Sequence, residues 1–173
     1  MDRKRENGFT LIEVLFVAGV ISILAAIATP GLSKAKMAAD EASAIASLRV
    51  IHSGQQMFWA SCGNGNYSPS LQNLGQSIGG APGFLSADIS GPAPVVKSGY
   101  ELDVDTRNPT VGVSCNGGAL TSSYHATADP LPGRGRRYFG GNTSGGIFES
   151  PETLFGLMPD VGAAPAPAVP IHQ

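Results

Sequence analysis

Residues Phe9 to Thr29 form a 21-residue apolar run whose only acid is Glu13 and whose other polar members are Thr10, Ser22 and Thr29. As a helix rising ~1.5 Å per residue, such a run spans the ~30 Å hydrocarbon layer of a bilayer. It dictates a hydrophobic helix that lipid or protein must cover. Ahead of it, Arg3, Lys4 and Arg5 outweigh Asp2 and Glu6. This basic leader favours a cytoplasmic N-terminus and places the remainder outside the cytoplasmic membrane. A conventional secretory signal cleaved after Ala26-Ile27-Ala28 is the competing reading. Its apolar region would measure about 7 to 15 residues, without an acid, whereas this one is longer and contains Glu13.

A carboxylate inside a membrane helix costs several kcal/mol unless it is neutralised, reaches the headgroups or finds a cation. Glu13 near the interface could reach the headgroups. The sharper reading takes the cation from the chain itself. Cleavage after Gly8 creates an α-amine on Phe9, one helical turn from Glu13. That amine, on the same subunit or on a neighbour, can pair with the carboxylate where the dielectric is low.

The run Gly8-Phe9-Thr10-Leu11-Ile12-Glu13-Val14, with a basic leader before it and Pro30 closing the apolar stretch, resembles a type IV prepilin signal. The resemblance covers about 30 residues. It implies cleavage between Gly8 and Phe9 by a membrane prepilin peptidase, N-methylation of Phe9, and a role for Glu13 in docking each subunit into a growing filament. The chain would then be a substrate of the peptidase and not an enzyme. Its partners would be other copies of itself and minor pilins, the peptidase/methyltransferase, a membrane assembly platform, and lipid before assembly. Ala18, Gly19, Ser22, Ala25, Ala26 and Ala28 supply the small side chains that let helices approach closely.

Pro30 and Gly31 are expected to break or kink the helix. From Ser33 to about Ala60 an amphipathic pattern resumes, with Ala38, Ala42, Ile45, Leu48, Ile51 and Phe58 at three- and four-residue steps. Lys36, Asp40, Arg49 and Gln56 are expected to face away, and Gln55 interrupts the stripe. If this helix continues the apolar run, it reaches ~50 residues and roughly 75 Å. Its stripe reads as the seat for a sheet.

Composition changes abruptly at Cys62. Gly and Pro make up about 28% of residues 62–173, against three Gly and one Pro between Phe9 and Ser61. Cys62-Gly63-Asn64-Gly65 is a stop-and-turn signal, Leu71 and Leu74 suggest a short helical turn, and Gln76 to Pro94 reads as a surface loop. Tyr100, Leu102 and Val104 alternate with acids. Val111 and Val113 lead to Cys115, and Tyr124, Ala126 and Ala128 follow as a further strand. Tyr138-Phe139 and Ile147-Phe148 flank a glycine-rich turn and read as a hairpin. The fold expected is α+β: a long N-terminal α-helix packed against a small antiparallel sheet of three to five strands, a pilin-like head. Its parts are a leader at 1–8, a transmembrane or filament-core helix at 9–29, and an amphipathic helix at 30–61. A β-rich head at 62–158 and an extended, mobile Ala/Pro tail at 159–173 complete it.

Cys62 and Cys115 lie where the compartment is oxidising and are a disulfide candidate, with two buried thiols as the alternative. Two cysteines without a Cys-x-x-Cys spacing give no support for thiol exchange or haem attachment. His52, His125 and His172 are scattered, and no nucleophile elbow or His-Glu-x-x-His is present. Ser123, His125 and Asp129 can be written as a triad, but neighbours on one strand do not adopt that geometry easily. Glu101, Asp103 and Asp105 could serve calcium, although alternating acids on the wet face of a strand need no metal. No cofactor and no metal site is expected. The net charge of −2 gives no reason to expect nucleic acid, and Arg134, Arg136 and Arg137 read as a solvated cluster in a Gly-Pro turn.

Four functions fit this pattern. A structural subunit of a type IV pilus-like filament comes first, inserted in the cytoplasmic membrane with its head outside, then carried to a cell-surface pilus. A type II secretion pseudopilin in a periplasmic pseudopilus uses the same physics. A single-span anchor with an extracytoplasmic binding domain is a further alternative, and a secreted hydrolase with a conventional signal is the last.

Overall fold

The computed structural model describes residues 9–171, so the leader 1–8 with Gly8, and His172 in the tail, lie outside the described residues. The chain divides into two compact units between Lys36 and Met37.

Helix α1 runs from Leu11 to Ser61 without interruption and contains Pro30. In the first unit every residue from Phe9 to Lys36 is exposed. Phe9, Leu11, Ile12 and Phe16 are each 73% exposed or more, so this part of the helix has no core of its own. It is long and apolar enough to cross a membrane. Its hydroxyls are satisfied locally: Ser22 Oγ donates to the Ala18 carbonyl at 2.8 Å and Thr29 Oγ1 to that of Ala25 at 2.7 Å. The expected break at Pro30 and Gly31 is absent, because both residues are helical. A proline forfeits one backbone bond and costs about 3 kcal/mol. Ending the helix there would free several N–H and C=O groups in an apolar stretch, which costs more.

The second unit begins with the remainder of α1. Its buried face consists of Asp40, Glu41, Ala44, Ser47, Leu48, Ile51, Gly54, Gln55 and Phe58. This corrects the expected stripe: Ala38 and Ala42 are exposed, while Asp40 and Gln55 point inward. The face is rotated because its polar members have partners. Gln55 donates from Nε2 to the Ser68 carbonyl at 2.7 Å and accepts the Ser68 N–H at Oε1, 3.0 Å away. Gly54 sits where a Cβ would come within 2.8 Å of Leu85 Cδ2, so a larger residue would push the loop off the helix. At the end of α1 the Cys62 and Gly63 N–H groups both reach the Phe58 carbonyl, and Asn64 and Gly65 follow with positive φ. Helix α2, Leu71–Gly75, is capped by the Ser70 side chain and buries Leu71 and Leu74. The expected surface loop at Gln76–Pro94 also contributes Leu85 and Ile89 to the core.

Among the described residues eight strands follow: β1 Val95–Lys97, β2 Tyr100–Asp105, β3 Thr110–Val113, β4 Ala119–Thr121, β5 His125–Pro130, β6 Tyr138–Asn142, β7 Ile147–Ser150 and β8 Val169–Pro170. Six form one antiparallel sheet in the order β1-β2-β5-β6-β7-β8, and β3-β4 pair separately. The sheet is therefore larger than the three to five strands expected. The added strands are short edge pieces, β1 and β8, drawn from segments too rich in Pro and Ala to read as strands. Tyr100, Leu102 and Val104 of β2, Ala126 and Ala128 of β5, Phe139 of β6 and Ile147 of β7 share a core with Leu48, Ile51 and Phe58 of α1.

Phe148, Leu154 and Met158 form a second, smaller core. Gly140 makes room for it, since a Cβ there would lie 3.0 Å from Leu154 Cδ1 and 3.1 Å from Met158 Sδ. The tail beyond residue 158, expected to be mobile, instead buries Asp160 and pairs Val169 with Glu149.

Cys62 and Cys115 are joined in a disulfide. Cys115 lies in the turn between β3 and β4, where the Ser114 N–H meets the Gly118 carbonyl. The alternation of Val111 and Val113 marked a strand correctly; its place in a separate two-stranded sheet depends on pairing with β4 that alternation does not encode. With a sequence separation of 53, the bridge removes about 4 kcal/mol of unfolded-chain entropy. The double change Cys62→Ser and Cys115→Ser is expected to lower stability by about that amount. Denaturant unfolding of the full chain in detergent, with and without reductant, measures it; reduction should shift the parent and leave the variant unmoved.

Candidate functional site

The first turn of α1 is the candidate site. Thr10 stands immediately before the helix and Glu13 is its third residue, the Thr-x-x-Glu arrangement of a capping box. The Thr10 N–H donates to Glu13 Oε2 at 2.9 Å and the Thr10 hydroxyl donates to the same oxygen at 2.7 Å. The Glu13 N–H returns a 3.4 Å contact to Thr10 Oγ1. An acid here is favoured by the positive end of the helix dipole. Glu13 is otherwise surrounded by apolar side chains, and Phe9, Ile12, Phe16 and Val17 line the same surface groove. Phe9 itself is 85% exposed and precedes the helix. Of the residues anticipated at this site, Phe9 and Glu13 thus lie together, and Gly8 lies outside the described residues. Thr10 was missed as a partner of Glu13, although its three-residue spacing is the signal that would have found it.

Of the three arginines expected to be solvated, Arg136 and Arg137 are exposed, yet Arg134 and Arg137 are paired with acids of α1. Arg137 forks onto Glu41 Oε2 from Nε at 2.9 Å and Nη2 at 2.7 Å, and reaches Glu149 with Nη1 at 2.6 Å. Arg134 forms a 3.0 Å ion pair with Asp40, and the Arg136 N–H donates to Glu41 at 3.1 Å. Burial works against the Glu41 charge, but the Arg136 N–H and the Arg137 guanidinium outweigh it and hold its pKa below the usual carboxylate value. These pairs fasten the β5–β6 connection to α1. They leave Arg136 as the arginine of the three without an ion pair among the described residues.

The written triad does not assemble either. His125 Nδ1 donates to Asp160, not Asp129, at 2.6 Å, and Ser123 Oγ donates to that same carboxylate at 3.2 Å instead of to the imidazole. The Thr106 hydroxyl at 3.1 Å, the Arg107 N–H at 2.9 Å and Asn108 Nδ2 at 2.8 Å also donate to Asp160. A serine bonded to the acid cannot pass its proton to the histidine, so this cluster is a clamp and lacks the relay of a hydrolase. Burial opposes ionisation of Asp160, yet His125 and the Arg107 N–H outweigh it and keep the pKa below its ordinary value. Asp129 instead accepts the Thr153 hydroxyl.

Glu101 and Asp103 share a cavity of about 310 Å³ with Asp129, Thr127, Pro94 and Phe155. Burial pushes the pKa values of Asp103 and Asp129 up. Asp105 is exposed, and among the described residues no group of three or more His, Cys, Asp or Glu is arranged to hold a metal ion.

Residues 3–29 match the prokaryotic N-terminal methylation motif. The type IV major pilin protein PilA of Myxococcus xanthus is 30% identical over 132 residues, which cover 74% of this chain and 57% of that protein. The type II secretion system core protein G of Aeromonas hydrophila is 31% identical over 74 residues, 43% of this chain and 50% of that protein. The chain thus matches little more than half the length of these curated relatives. No solved structure matches it significantly.

Glu41 and Asp160 both hold protons less tightly in the folded chain than when unfolded. Their stabilisation is complete above their ordinary values of 4.5 and 3.8 and is lost as pH falls below them. Asp160→Asn is expected to cost about 2 kcal/mol at neutral pH, because it puts an amide donor where the Arg107 N–H, Asn108 Nδ2 and Ser123 Oγ donors converge. It should also flatten part of the acid limb in thermal unfolding between pH 6 and 2, followed by near-ultraviolet circular dichroism.

Proposed function

We propose that this chain is a structural subunit of a type IV pilus-like filament. The observation that carries the reading is the methylation motif at residues 3–29 leading into a helix whose apolar residues have no partner in their own unit. Lipid covers that surface before assembly, and identical helices cover it afterwards, with small residues from Ala18 to Ala28 setting the approach distance. The leader keeps the N-terminus in the cytoplasm while the head lies outside. A prepilin peptidase cleaves between Gly8 and Phe9, and the new amine of Phe9 is methylated. Glu13 then docks the subunit by pairing with an α-amine of the growing filament, aided by a membrane assembly platform and minor pilins.

The protein is a building block in this reading and not an enzyme, in keeping with the names of its relatives. A pseudopilin of a type II secretion system is the second reading, supported by the likeness to core protein G. The pilus reading is preferred because the similarity to the major pilin runs over 132 residues, far beyond the first helix.

Mass spectrometry of the mature N-terminus tests the reading: methylated Phe9 supports it. Thr29 at the terminus would mean a conventional signal, and an intact Met1 a permanent anchor. Glu13→Ala is expected to be processed yet to assemble poorly, measured as sheared filament per processed subunit. Normal yield from that variant would sink the docking role.

A further inference from the structure

We infer that Thr10 is a positioning residue for Glu13, holding its carboxylate in the orientation that docking uses; this rests on the docking reading above. A glutamate side chain has three rotatable bonds, and an unrestrained one samples many rotamers on a helix surface. Here both donors of Thr10, its N–H at 2.9 Å and its hydroxyl at 2.7 Å, converge on a single oxygen, Oε2. The side chain is thereby folded back onto the first turn. Two donors on one oxygen also stabilise the charged carboxylate among Phe9, Ile12, Phe16 and Val17, where water is scarce once the helix is covered. Oε1 takes no hydrogen bond among the described residues, which leaves it for the incoming amine. Thr10 thus lowers the ordering cost of the docking contact, because the acceptor is preset before the cation arrives.

A plain helix cap would explain the same three hydrogen bonds, so the test must separate the two roles. Thr10→Val removes the hydroxyl and keeps the shape, while Thr10→Ser restores the hydroxyl. Filament yield per processed subunit is expected to fall about tenfold in Thr10→Val, the scale of one hydrogen bond to a charged group, and to recover in Thr10→Ser. In a Glu13→Ala background, Thr10→Val should cause no further loss, because its effect passes through the carboxylate. A further loss in that double variant would assign Thr10 to helix capping alone and overturn the inference. Normal assembly of Thr10→Val beside a failing Glu13→Ala would overturn it as well, leaving the docking reading intact. Normal assembly of Glu13→Ala would remove both.

Discussion

An apolar surface exposed to water costs roughly 25 cal/mol for each Å², and from Leu11 to Leu32 the first unit is a helix with nothing from its own unit laid over it. No rearrangement within that unit can relieve the cost, because a lone helix has no second layer to bury itself against. The surface is tolerable in two surroundings, a bilayer and a bundle of like helices, and the two are close in polarity. Movement from one to the other therefore changes little in apolar burial. What distinguishes them is polar detail. Glu13 is the one charged group in the stretch, and its carboxylate is the polar detail that the two surroundings would treat differently.

The second unit meets the opposite problem. Its helix face carries Asp40, Glu41, Ser47 and Gln55 among the buried residues, and each polar group there needs a partner to offset the loss of water. Glu41 receives a forked arginine, Asp40 an ion pair, Ser47 Oγ the Ser43 carbonyl and Gln55 both backbone groups of Ser68. The Glu41 and Gln55 contacts are directional where apolar packing is not, and they fix the register of helix against sheet and loop. The Asp160 clamp plays the same part for the C-terminal segment, joining residues 106–108, Ser123 and His125 around one carboxylate.

What could be read from the sequence follows the range of the forces involved. The first turn, the long helix, the stop at Cys62-Gly63-Asn64-Gly65 and the β6–β7 hairpin are local, set by periodicity, capping and turn chemistry. The disulfide could be anticipated because only two cysteines are present. Rotation of the helix face could not, since apolar spacing favoured Ala38 and Ala42, and only distant arginines at 134 and 137 make Asp40 and Glu41 inward residues. Gln55 interrupts an apolar pattern yet sits at its centre, because Ser68 reaches it from beyond a turn. Residues 159–171 have the composition of a mobile tail, and their place depends on a histidine 35 residues earlier in the chain. At Pro30 the local rule was sound for one residue and was outweighed by the backbone bonds of the whole helix.

The bridge between Cys62 and Cys115 also has a mechanical meaning. It fastens the end of α1 to the turn ahead of β4, so tension applied along the helix passes through two sulfur atoms into the second half of the head. The intervening 53-residue separation, which could otherwise draw out to roughly 175 Å, carries none of the load.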